Sequence, residues 1–129
     1  MADGASSTVV NAFLASLLNG SAFTAYGTLY CQLHVGAPGA AGTSNIAGEN
    51  TRQAAGTFTA PSGGSSTNNA AVTWTSVTTA ETYNNVTLWS ASSGGTFIAS
   101  GTITASAVNI GDTFTIPIGD ITVSMPVAS

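Results

Sequence analysis

The sequence contains no lysine, and its single arginine, Arg52, stands against five carboxylates in a chain of 129 residues. Charged residues make up 5% of the chain, against roughly 25% in ordinary soluble proteins. Binding to nucleic acid needs clustered cations that displace counterions, so that function class is excluded. One cysteine, Cys31, permits no internal disulfide and makes a cysteine-based metal site implausible, while leaving the redox compartment open. One histidine, His34, has to serve any triad or metal site that needs an imidazole. There is no apolar run of about 18 residues or more, and the start, Met1-Ala2-Asp3-Gly4, has no basic end of a secretory signal. The protein is therefore expected to be neither membrane-spanning nor exported. The length has room for one compact domain, expected to span 1–129.

What is present is apolar mass and neutral polar surface. Hydrophobic residues are 43% of the chain, with two Trp, three Tyr and five Phe, enough for a core and a poor match to disorder. Thr, Ser, Asn and Gly replace charge on the surface. Such a skin has few strongly hydrated ions to strip of water when it packs against a neighbour. It predicts permanent assembly, with a homo-oligomer such as a trimer as the expected form.

Along the chain, Val10, Phe13, Leu14, Leu17 and Leu18 fall at spacings of three and four, predicting an amphipathic helix over 8–19. Ser6, Ser7 or Thr8 can cap its start, and Gly20 sits where a left-handed stop belongs. A lone amphipathic helix has to lie on something, either its own sheet or a neighbouring subunit. After Gly20 the period becomes two. Leu29, Cys31, Leu33 and Val35 alternate with Tyr30, Gln32 and His34, as in a strand with one buried face. A Gly/Ala/Asn loop over 36–50 follows, then a possible strand over 51–59, a Gly/Ser/Asn stretch over 61–69, and Val72 and Trp74 sharing a face. The strand at 86–90 has apolar groups on both sides, which places it centrally or under a contact. Ser93-Gly94-Gly95 turns into a strand carrying Phe97, Ala99 and Ile103, and Gly119-Asp120 reads as a two-residue hairpin joining 113–118 to 121–127. About seven short strands within 28–127 predict a mainly β fold, an antiparallel, jelly-roll-like β-sandwich with one N-terminal helix. No heptad, fixed-length repeat or collagen triplet encodes a long shaft.

The search for chemistry is brief. Cys31 and His34 are three residues apart on a strand, so they point to opposite faces and cannot share a metal ion. No Gly-x-Ser-x-Gly elbow is present. Asp112 and Asp120 follow glycines at turns, where Asp favours the backbone geometry, and an Asp112/Asp120 or Glu49/Glu81 acid–base pair is the weaker reading. The chain is expected not to be an enzyme and to use no cofactor or metal. Arg52 can anchor a contact by pairing with Glu49, Glu81 or a partner's carboxylate, or it can be an exposed strand-end residue. Tyr26, Tyr30, Tyr83, Trp74 and Trp89 can form a sugar-stacking platform or, more commonly in a sandwich, belong to the core. Arg52, Tyr30 and Tyr83 are the candidate partner contacts.

The stretch Leu29-Tyr30-Cys31-Gln32-Leu33-His34-Val35-Gly36-Ala37-Pro38-Gly39 resembles a family of small proteins from the structural gene modules of tailed bacteriophages, labelled phage tail fibre or minor virion protein. The resemblance extends to Asn11-Ala12-Phe13-Leu14 and Leu18-Asn19-Gly20-Ser21, to Asn50-Thr51-Arg52-Gln53-Ala54, to Val86-Thr87-Leu88-Trp89 with its Gly94-Gly95 turn, and to Gly111-Asp112-Thr113 and Gly119-Asp120-Ile121-Thr122-Val123. Ala37 stands where the family usually has Asp. The resemblance implies a virion protein without catalytic residues. A receptor-binding fibre needs a shaft, whereas a decoration protein needs a small rigid body and a docking surface. The expectation is accordingly a capsid decoration or cement protein on the outer capsid surface, clamping the major capsid protein, with a tail fibre or minor tail protein that binds host sugar as the alternative. Free chain ends fray unless held, so the amino-terminal arm, 1–7, or the tail is expected to lie on a neighbour.

Overall fold

A computed structural model describes residues 4–128. The elements run β1 (Gly4–Ala5), α1 (Ser7–Asn19), β2 (Tyr30–His34), β3 (Gln53–Ala54), β4 (Ser65–Thr67), β5 (Val72–Trp74), β6 (Glu81–Trp89), β7 (Phe97–Val108), β8 (Phe114–Ile116) and β9 (Thr122–Ser124). The fold is mainly β, antiparallel, with one N-terminal helix. Its large sheet has the order β1-β7-β6-β2-β3, and the opposing layer is two separate ribbons, β4-β9 and β5-β8. Between the layers sit Cys31, Leu33, Val86, Leu88 and Ala99 from the sheet and Val72, Trp74, Phe114, Ile116 and Ile121 from the ribbons and their ends.

The long pair β6–β7 turns at Gly94-Gly95, where the Ser90 amide donates to the Thr96 carbonyl at 3.0 Å. As its two apolar faces predict, β6 is internal to the sheet. The single buried face expected for β2 is corrected: Cys31, Gln32, Leu33 and His34 are all buried. The second face is closed by the loop after β2, which returns Ser44 to His34 and Gly42 to Phe97. Gly42 has a φ of 71°, and a Cβ there would stand 2.8 Å from the Phe97 ring, so glycine is required on both counts.

The hairpin expected at Gly119-Asp120 is also corrected. The turn forms, with Gly119 at a φ of 83°, but β8 pairs with β5 and β9 with β4, so the chain crosses from one ribbon to the other. Fully buried Asn68 holds this crossing. Its side-chain amide donates to the Ala70 and Pro117 carbonyls, each at 2.9 Å, and its Oδ1 accepts the Ile121 amide at 2.9 Å. A side chain thus supplies the bonds that a hairpin partner would have made. Of the strand expected over 51–59, only Gln53–Ala54 forms.

The described part of the arm answers the sheet of its own chain. Gly4 and Ala5 pair with Ser100 and Ala99, and the Ser6 hydroxyl donates to the Phe97 carbonyl at 2.7 Å. The rest of the expected arm, 1–3, lies outside the described residues.

Candidate functional site

The helix is where the structure departs furthest from a closed globule. Ser6 caps its start, accepting the Val9 amide at 3.3 Å, and Gly20 ends it at a φ of 70°. Both caps follow the sequence. The orientation does not follow the usual rule, because α1 turns small residues inward and large apolar ones outward. Val9 is buried and Ala12, Ala15 and Ser16 are half-buried, whereas Leu14, Leu17 and Leu18 are exposed, the last two at 78% and 75%. The outward row of Val10, Leu14, Leu17 and Leu18 is a ridge without cover. Burying a leucine fully contributes about 1.5–3 kcal/mol, so this face withholds a sizeable stabilisation from the isolated subunit.

Beside the ridge lies an apolar groove of about 700 Å³, walled by Phe13, Phe23, Tyr26, Phe58, Val123 and Met125. An aromatic ladder fixes one wall. Phe13 stacks on Phe23 with centroids 4.4 Å apart, and Phe23 meets Tyr26 edge-on at 6.1 Å. The ladder holds the extended segment 20–29 against the helix. From Gly4 to Gly48 the chain has no Asp, Glu, Lys or Arg, and none lines the groove.

Arg52 occupies a different place. Its guanidinium lies 4.1 Å from the centre of the Trp89 ring and donates to the Ala91 carbonyl at 2.9 Å, the Gly94 carbonyl at 2.7 Å and Gln32 Oε1 at 3.3 Å. It pairs with neither Glu49 nor Glu81. It clamps the β6–β7 turn and is no loose strand-end residue. Tyr30 is half-buried and in register with Trp89, so Tyr30 and Arg52 share one face of the sheet around that indole. Tyr83 is elsewhere. It is fully buried against Phe114 at 5.0 Å, with its phenol pushed up to about 12 by burial and by the charges of Glu81 and Glu49. Trp74 and Trp89 are buried as well, whereas Tyr26 and Tyr30 are half-buried.

The groups weighed for chemistry are engaged in scaffolding. Buried His34 belongs to a chain of hydrogen bonds. The Trp89 indole donates to Thr87 Oγ1 at 2.8 Å, Oγ1 lies 2.9 Å from His34 Nε2, and Nδ1 lies 2.8 Å from the Ser44 carbonyl. A carbonyl only accepts, so Nδ1 carries the proton, and in the neutral imidazole Nε2 accepts from Thr87. Burial favours this neutral form by lowering the His34 pKa, joined by the charge of Arg52 against opposing backbone hydrogen bonds. Glu81 accepts the amides of Gly48 at 2.9 Å and Glu49 at 3.1 Å, and Glu49 accepts that of Thr78 at 3.1 Å. Asp112 closes its turn on the Asn109 amide at 2.8 Å. Cys31 faces the core opposite His34, its thiol pushed up to about 12 by burial.

Sequence reasoning found the ridge and missed the groove. Phe23, Tyr26 and Leu29 recur every third residue in a segment with no regular structure, and that spacing was the available signal. Phe58 and Met125 arrive from distant strands and carry no local one. With the geometry in place, comparison with known proteins gives one result of consequence: a family model described as Podophage GP4 fiber I protein gp80 matches residues 4–124. No curated protein matches the chain.

Proposed function

The chain belongs to the family described as Podophage GP4 fiber I protein gp80, a phage virion structural family of fibre type, and from that premise we propose that it is a non-catalytic subunit of a virion fibre. Its task in this reading is to join other virion proteins through neutral and apolar surface. The observation that carries the reading beyond the family is the uncovered, uncharged helix ridge, since a free-living monomer has no use for two leucines three-quarters exposed in a chain so poor in charge. The absence of catalytic work is supported by the engagement of His34, Glu49 and Glu81 with backbone and hydroxyl partners.

Capsid decoration is the second reading, and a specific observation favours it: the described residues hold short strands and one 13-residue helix, with no heptad or repeat of the kind that builds a shaft. Quantitative mass spectrometry of purified virions separates the two. A fibre subunit is present in few copies and labels with antibody at fibres. A decoration subunit is present in hundreds of copies over the head. Virions from which the protein is absent overturn both readings.

A further inference from the structure

We propose that the surface covering the α1 ridge is a second copy of this chain, the Val10–Leu14–Leu17–Leu18 row of each copy seated in the apolar groove of the other, in a two-fold symmetric dimer. This rests on the structural-subunit reading above only in taking the contact as permanent.

Three observations select a second copy over another occupant. The chain carries both halves of the contact, a ridge and, immediately beside it across Phe13, a groove of about 700 Å³, so neighbouring copies satisfy each other by symmetry. Charge points the same way. Each copy has a formal net charge of −4, and association of like-charged molecules is least opposed at the surface that has none of that charge. Ridge and groove draw on the uncharged stretch from Gly4 to Gly48 and on uncharged residues of the ribbon. A cationic partner gains nothing here, and a lipid surface is poorly matched by a helix with no Lys or Arg on its polar side.

The area is also sufficient. A helix of 13 residues is about 20 Å long and 10–12 Å across, so its outward half presents roughly 300–400 Å². In a two-fold dimer the contact occurs twice, so the two ridges and two groove walls of matching size amount to about 1,200–1,600 Å², within the range of stable protein interfaces.

The test uses the full chain in solution. Sedimentation velocity of the wild type at micromolar concentration is expected to give twice the monomer mass. Leu17→Gln/Leu18→Gln, which keeps good helix formers on an exposed face, is expected to weaken association by tenfold or more while circular dichroism and thermal midpoint stay near wild type. A second measurement locates the contact. In a mixture of light and isotopically heavy Leu18→Cys/Thr57→Cys protein, a short bis-maleimide is expected to join residue 18 of one copy to residue 57 of another, with buried Cys31 silent. A monomeric wild type overturns the proposal. An oligomer that survives the glutamine substitutions unchanged, or cross-links only within one copy, overturns it as well. Incorporation into virions is scored separately, so a monomer that still reaches the particle defeats this inference and leaves the family-based reading intact.

Discussion

Arg52 offers the sharpest separation between a scaffold residue and a docking residue. Its guanidinium makes two bonds to the carbonyls of Ala91 and Gly94, a longer one to Gln32, and a stack on Trp89. Hydrogen bonds from a charged donor contribute about 1.5–3 kcal/mol each in protected sites and a cation–π contact about 0.5–2 kcal/mol. Arg52 is half-exposed, so solvent screening reduces both. Arg52→Ala is therefore expected to destabilise the chain by about 2–3 kcal/mol, and for a domain of this size that lowers the thermal midpoint by roughly 6–15 °C. Arg52→Lys is expected to recover less than half, because an ammonium lacks the planar fork that reaches two carbonyls while lying on an indole. The assay is thermal and urea unfolding followed by circular dichroism and by Trp fluorescence, since Trp89 loses its stacking cation. A midpoint for Arg52→Ala within about 2 °C of wild type, combined with loss of binding to virion proteins, refutes the reasoning and restores Arg52 as a contact with a partner.

Asn68→Ala removes three side-chain bonds and orphans a buried amide, so urea unfolding is expected to show a loss of about 3–4 kcal/mol. The neutral state of His34 makes stability depend on pH: it is fully present above about pH 6.5 and falls as pH drops from there through the lowered folded pKa, because the unfolded chain then binds the proton more readily. Urea midpoints measured from pH 7.5 to 5 are expected to decline, and His34→Gln is expected to flatten that slope. Cys31 is expected to resist a thiol reagent at pH 8 in native protein and to react fully after unfolding, reflecting a thiol near 12 with no exposure.

The elements that could be read from sequence are those whose cause is local. Ser6 and Gly20 bound the helix through capping geometry, Gly94-Gly95 makes its turn through positive φ, and Val86, Leu88 and Trp89 announce a strand covered on both faces. Where the cause is tertiary, local reasoning failed. The Gly119-Asp120 turn has the chemistry of a hairpin, yet Asn68, some fifty residues upstream, takes the bonds that decide where the next strand goes. His34 alternates like a surface residue, and only the return of Ser44 and the hydroxyl of Thr87 make its burial tolerable. Tyr83 and Tyr30 look alike in sequence, but one lies in the core and the other on the Trp89 face. Hydrophobic periodicity located the ridge residues correctly. It carries no information about which side of a helix meets its own domain.

That last point bears on function, because the two halves of the molecule treat exposure differently. Within the sandwich, polar groups that are hidden are bonded in detail: Asn68 through three bonds, Thr87 between an indole and an imidazole, Glu49 by backbone amides. Around α1 the reverse holds, with leucines facing solvent while alanines and a serine face the sheet. A sequence able to satisfy the first condition is not failing at the second through poor packing. Turning the helix by half a revolution would hide the leucines, but it would strip the Phe13–Phe23–Tyr26 ladder from the groove wall. The outward leucines are thus fixed by the same contacts that build the groove. Ridge and groove form one structural unit, and among the described residues nothing covers its apolar surface.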